Sequence, residues 1–191
     1  MQTIDENTPI ENELVLPILA VRGMVFFPGM MLQFDVARKK SILAVTESLS
    51  SDRLIFLVSQ VDLSDGEPTG DDLYKIGVIA RIKQVVHPSE EGVKLHVEGV
   101  CRGEILSLLQ EDPYLVGNIQ KCPILTYKKT YKSEALLRVI HDRFDEYLRL
   151  FKHVPPDVLL GVLQEKDCGR LADYIASNIS IDFERKQYIL D

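Results

Sequence analysis

The 191 residues of the chain are 46% hydrophobic and 27% charged, with a formal net charge of −7. That balance belongs to a globular protein of one or two domains and excludes a disordered chain, and no apolar run approaches the roughly 18 residues of a membrane-spanning helix. The acidity also disfavours a nucleic-acid partner, since affinity for a phosphate backbone comes largely from Lys and Arg releasing counterions; basic clusters such as Arg38-Lys39-Lys40 and Lys128-Lys129 are short.

Residues 1–13, MQTIDENTPIENE, are polar and acidic, without the basic-then-apolar order of a leader. They read as a flexible tail, and a cytoplasmic location is expected. Leu14 to Val21 has the composition of a strand that Pro17 demotes to an edge position or a bulge. Next, Gly23 and Gly29 bracket Met24, Val25, Phe26, Phe27 and Pro28, with Met30, Met31 and Leu32 following at once. This is turn chemistry filled with apolar side chains. Loops are usually polar, so the turn either folds back into the core or is a surface that touches a partner. Met31 to Val36 alternates as a second strand. Arg38 to Leu49 changes to helical spacing, with Ile42, Val45 and Leu49 on one face, and Leu54 to Val61 is a continuous apolar run suited to a buried central strand.

Asp62 to Asp72 is a polar loop holding Gly66, Pro68 and Gly70. Three strand-like runs follow: Tyr74 to Val86, Val93 to Cys101 and Glu104 to Leu109. A turn at Pro88 to Gly92 makes the first two a hairpin, and Gly99 and Gly103 allow a bulge or sharp bend that turns the chain into the last. Tyr114 to Ile119 is the final strand and Pro123 closes the β part. Beyond Thr130 the period is helical: Ser133 to Lys152, with Leu136, Leu137, Ile140, Phe144, Tyr147, Leu148 and Phe151 on one face, then Asp157 to Gln164 after Pro155-Pro156. A third helix, Gly169 to Ser177, takes Asp167 as N-cap and buries Leu171, Ala172, Tyr174 and Ile175. A fourth begins after Asp182 and meets no stop signal before Asp191, which predicts that the natural polypeptide continues. The expected organisation is α+β: a tail over 1–13, a β domain over 14–125 and a helical subdomain over 126–191.

Catalytic patterns are missing from this sequence. It contains neither GxxxxGK[ST] nor GxGxxG. His87, His96, His141 and His153 have no partner at metal-ligand spacing, so no metal site is expected. Asp71 and Asp72 are adjacent, and neighbours on an extended backbone point to opposite faces; solvated loop carboxylates are the plainer reading. Glu98 with Arg102 reads as an ion pair that fixes a bend. Ser41, Ser59 and Cys101 lack an elbow or a local base, and Cys101, Cys122 and Cys168 suit reduced, inert thiols. What remains is binding. The substrate-binding candidates are Met24, Phe26, Phe27, Pro28, Met30 and Met31, which combine flexible thioethers with aromatic rings. Val25 and one phenylalanine are expected to point inward, leaving the methionines and the other ring more exposed.

The stretches LPILAVRGMVFFPGM, QFDVARKKSILAV, DDLYKIGVIARI, VKLHVEGVCRGEI, and RLADYIASNISID followed by FERKQYIL resemble, in this order, the N-terminal substrate-recognition region of ATP-dependent Lon proteases. The likeness runs from about Leu14 to Asp191. It implies a PUA-like β pseudo-barrel with one helix, followed by an all-helical subdomain. It further implies a non-catalytic module that holds unfolded or damaged proteins through apolar surface and aids assembly of a homo-hexamer. ATP, Mg and a Ser-Lys protease site would belong to modules beyond Asp191, so no cofactor is expected in this stretch and no membrane partner. Many members carry a proline where this chain has Gln33 or its neighbours. The alternative is a free-standing PUA-like domain that binds nucleic acid or a small ligand, for which an acidic chain without tryptophan offers little.

Overall fold

Described in the computed structural model are residues 12–62, 66–86, 92–122, 130–150 and 155–191. Along the chain come β1 (Glu13–Val21), β2 (Met31–Val36), α1 (Lys39–Ser50), β3 (Leu54–Ser59), β4 (Ile76–Val86), β5 (Val93–Gln110) and β6 (Val116–Lys121). Four helices follow, α2 (Tyr131–Leu150), α3 (Pro156–Gln164), α4 (Cys168–Asn178) and α5 (Phe183–Leu190). The class is α+β, as expected.

One mixed sheet has the order β2-β5-β4-β3-β1-β6, and β6 returns to pair with β5. Five strands thereby close into a pseudo-barrel, with β2 appended to the first half of β5. Closure depends on β5 being a single strand of 18 residues, where the sequence suggested two. Its first half pairs with β2 from Val93↔Val36 to Glu98↔Met31, and its second half with β6 from Gly103↔Lys121 to Gln110↔Val116. Gly99 and Gly103 do not break the strand, but the bulge that glycines here allow is present: the ladder with β4 skips Val100 between Gly99↔Ala80 and Cys101↔Ile79. The two glycines let other chains come close, because a Cβ on Gly103 would stand 2.8 Å from Ile119 Cγ2. The hairpin turn at 88–92 lies outside the described residues except for Gly92, as does Pro123.

Pro17 misled in a similar way. β1 is an internal strand, antiparallel to β6 over residues 13–17 and parallel to β3 from Ile18 to Val21. Ile18 N donates to Leu115 O on the β6 side, so the nitrogen of Pro17 faces the other way, where the ladder with β3 has not yet begun. The missing N–H costs no bond there. β3 is central, and its unbroken apolar run is buried on both faces. Ile55 and Leu57 join a core with Leu19, Val78, Leu95 and Val97, while Phe56 and Val58 join the barrel interior with Leu16, Ile18, Ile79 and Ile119.

Helix α1 buries Ser41, Ala44, Val45 and Ser48, a face shifted from the expected one, and Leu43 and Leu49 are exposed. Its Lys40 fastens the neighbouring loops: Nζ donates to Glu111 O at 3.2 Å and pairs with Asp112 at 2.6 Å and Glu67 at 3.8 Å. That hydrogen-bonded partner Asp112 holds the Lys40 amine above its ordinary value. In the helical part, Leu137, Ile140, Phe144, Tyr147 and Leu148 of α2 pack with Val158, Val162 and Leu171. Leu136, expected on that face, is exposed, and Phe151 is outside the described residues. Asp167 caps α4 by accepting from Arg170 N at 2.9 Å. Leu171 is buried as expected, whereas Ala172, Tyr174 and Ile175 are half-buried, and Asp173 and Ala176 are the other buried residues. Ala176 of α4 and Leu190 of α5 belong to the same core as the β3 residues Ile55 and Leu57, so the last two helices and the sheet share apolar interior.

Candidate functional site

The turn between β1 and β2 is built on two left-handed glycines, Gly23 at φ 62° and Gly29 at φ 78°, conformations that cost other residues roughly 1 kcal/mol or more. It lies across β5 at Gly99. Gly29 N donates to Gly99 O at 2.8 Å, Gly99 N to Met30 O at 2.9 Å, and Met30 N to Phe27 O at 3.1 Å. From the other side Ser59 Oγ donates to Met24 O at 2.8 Å. Gly99 is required by this approach, because a Cβ there would stand 2.4 Å from Phe27 O.

The turn folds inward more completely than the sequence suggested. Val25 is 3% exposed, as expected, but both rings are buried, Phe26 at 2% and Phe27 at 0%. Phe26 also meets Phe34 of β2 edge to face, centroids 5.6 Å apart. Removing a phenyl side chain from water is worth roughly 1.5–3 kcal/mol, and the space opened by Gly99 lets both rings take that gain. The exposed part is therefore a rim. Met24 and Met30 are half-buried against the core, Pro28 is half-buried, and only Met31, at 58%, is strongly exposed. Val100, the residue after Gly99, is exposed as well.

Elsewhere the polar candidates hold structure. Arg102 does not meet Glu98 as expected. Glu98 pairs with Lys83 at 2.5 Å, and Arg102 turns to Asp173 of α4. Asp72 accepts from Thr69 N and Oγ1, both at 2.8 Å, and those bonds hold its carboxyl below the usual range. Asp71 is exposed and takes no part in that cap. Burial pushes the Cys101 and Cys122 thiols up. His141 Nε2 lies 3.1 Å from Val162 O, His96 is half-buried on β5, and His87 and His153 lie outside the described residues. Among the described residues no three His, Cys, Asp or Glu side chains gather to hold a metal, and no helix is long and apolar enough to cross a membrane. A groove of about 460 Å³ between α2 and α4, lined by Ser133, Leu137, Arg138, Lys166, Asp167 and Cys168 among others, includes no residue of the apolar turn.

A family model described as the ATP-dependent protease La (LON) substrate-binding domain matches residues 15–191. The chain belongs to the Lon family. It is 38% identical over 176 residues to the Lon protease of Desulforamulus reducens, covering 92% of this chain and 22% of that one. With the Lon protease of Clostridioides difficile it shares 34% over 188 residues, 96% of this chain and 24% of the other. The chain thus spans less than a quarter of these relatives' length. Among solved structures it is similar to the N-terminal domain of a Mycobacterium avium complex Lon protease, with TM-score 0.69 and 19% identity over 93% of this chain and 90% of that one. It is also similar to a Lon N-terminal domain protein from Xanthomonas campestris, with TM-score 0.62, 15% identity and the same coverage. At such identities these two structures establish the fold alone. What sequence reasoning missed in this Lon domain is that Gly99 receives the turn: a strand glycine signals close backbone approach, but not which segment approaches.

Proposed function

We propose that this chain is the non-catalytic N-terminal module of an ATP-dependent Lon-type serine endopeptidase, and that it recognises and holds unfolded or damaged proteins through the rim Met24, Pro28, Met30 and Met31. The observation that carries this reading is the anchoring of the turn. Phe26 and Phe27 are sunk in the core and the backbone is pinned to Gly99, so the thioethers are presented on a fixed support. Flexible methionines on a rigid base accept apolar side chains of varied shape.

In the whole protein, six such modules would assemble with ATPase and Ser-Lys protease modules that carry ATP and Mg, in the cytoplasm. The ring would raise the effective concentration of weak apolar sites without new contacts. The tail, β domain and helical subdomain, over 1–13, 14–125 and 126–191, remain our division of the chain.

Binding of a permanently unfolded, fluorescently labelled polypeptide to the chain and to the triple variant Met24→Ser, Met30→Ser, Met31→Ser tests the reading. Binding should weaken about tenfold, since three partly exposed thioethers each contribute several tenths of a kcal/mol and tenfold is about 1.4 kcal/mol. Equal affinity of two equally stable proteins would remove the rim as the site.

A further inference from the structure

The edge of β2 offers something the apolar rim does not. Gly99 N donates to Met30 O, so the Met30 carbonyl points at β5 and the Met31 N–H, on the other side of that peptide, points away. With the register unbroken from Met31↔Glu98 to Val36↔Val93, bonded pairs alternate, so Leu32, Phe34 and Val36 direct their N–H and C=O groups at β5. Met31, Gln33 and Asp35 direct theirs away from it. β2 stands at the end of the strand order and pairs with β5 alone, and among the described residues no backbone hydrogen bond from outside the sheet reaches those three. Their side chains are exposed, whereas Leu32 and Phe34 are half-buried and pack against the core. A row of unpaired donors and acceptors at strand spacing matches one kind of ligand, another extended backbone.

We propose that the edge of β2 from Met31 to Asp35 takes up an extended segment of an unfolded protein as an added strand, with apolar residues at alternate positions continuing the Leu32 and Phe34 face. This rests on the substrate-binding reading above and deepens it. The strand starts where the rim ends, at Met31, so one segment can touch both. Main-chain bonds are indifferent to side-chain identity, which suits a module that meets many sequences. Asp35, held by Lys94 at 3.6 Å, biases the occupant toward a neutral or basic residue nearby.

The test uses the 191-residue chain, a labelled seven-residue peptide with Val and Phe at alternate positions and a terminal Lys, and the same peptide N-methylated at every interior amide. The unmodified peptide should bind roughly tenfold more tightly, the equivalent of two or three hydrogen bonds. Gln33→Pro, which removes an outward N–H and no bond to β5, should erase that difference. Equal binding of both peptides to the unaltered chain overturns the added strand. If the Met24→Ser, Met31→Ser variant then weakens both peptides alike, the apolar rim stands and the edge falls. If neither peptide nor an unfolded polypeptide binds, the substrate-binding reading falls and the edge with it. A dimer that Gln33→Pro dissociates, with no peptide affinity, makes a second copy the occupant and likewise overturns the proposal. Should Gln33→Pro fail to fold, the methylated peptide decides alone.

Discussion

Arg102 of β5 and Asp173 of α4 meet as two planar groups, Nη1 to Oδ2 at 2.8 Å and Nη2 to Oδ1 at 2.6 Å. Arg102 Nε also donates to Leu190 O at the end of α5, at 2.8 Å, so one side chain ties the sheet to both closing helices. Nearby, Gln187 Nε2 of α5 donates to Ile76 O of β4 at 3.0 Å. The Asp173 side chain is 7% exposed and that of Arg102 29%. Asp173→Ala is expected to cost about 2–4 kcal/mol by leaving a largely desolvated guanidinium without its carboxylate, read as a lower urea midpoint. Arg102→Lys, with Asp173 in place, should also lower the midpoint, because an ammonium cannot supply the planar fork.

Gly99→Ala is expected to displace the apolar turn. The new methyl would press on Phe27 O, a backbone atom, at 2.4 Å, and overpacking of this kind typically costs about 1–3 kcal/mol. Gly66→Ala is the control, since nothing lies within 4 Å of a Cβ there. Thermal unfolding should separate the two, and comparable midpoints would show that the turn moves freely over β5.

Within the turn, anchor and rim should separate by measurement. Phe27 is fully buried and Met31 is 58% exposed. Phe27→Ser is expected to lose about 3–5 kcal/mol of stability, while Met31→Ser should stay within roughly 0.5 kcal/mol and still weaken binding of an unfolded polypeptide. A binding loss that merely tracked stability would contradict the division.

Thiol chemistry offers an independent check on the sheet. Burial raises Cys101, which neighbouring Lys121 offsets in part, and raises Cys122 with help from Glu104. The thiolate is the nucleophile, so a raised value lowers its fraction at neutral pH. Alkylation of both by iodoacetamide, followed by mass spectrometry, should be slower than for a free thiol at pH 8, and its rate should keep rising with pH above the ordinary thiol range.

The loop cap should be sensitive to acid. Thr69 N, then its hydroxyl, lowers the Asp72 carboxyl. A depressed carboxyl contributes order that is fully present above its unfolded value and lost as pH falls through the folded one. The protection factor of the Thr69 amide should therefore drop in acid below the ordinary carboxylate range. In Asp72→Asn it should be lower at neutral pH and insensitive to that change.

What was legible followed from local chemistry. Periodicity placed β2, α1, β3 and the helices within a few residues, because side chains facing a core repeat every two residues or every 3.6. Asp167 identified itself as an N-cap because its carboxylate can reach a free N–H from there. Pro17 and the Gly99 to Gly103 segment were misread for one reason: a missing N–H or a missing Cβ is a local fact whose consequence depends on which strand lies alongside.

The same division runs through the candidate site. By itself the sequence determined that an apolar turn exists between Gly23 and Met31, that no nucleotide motif accompanies it, and that its motif order is that of a Lon substrate-binding region. Only the tertiary structure decided that both phenylalanines are anchors, that the methionines form the rim, and that Met31, Gln33 and Asp35 face outward along an open edge. Burial and strand pairing are properties of two segments at once. The partner here, β5 with its glycine at position 99, lies too far along the chain for periodicity or spacing to reveal that it receives the turn.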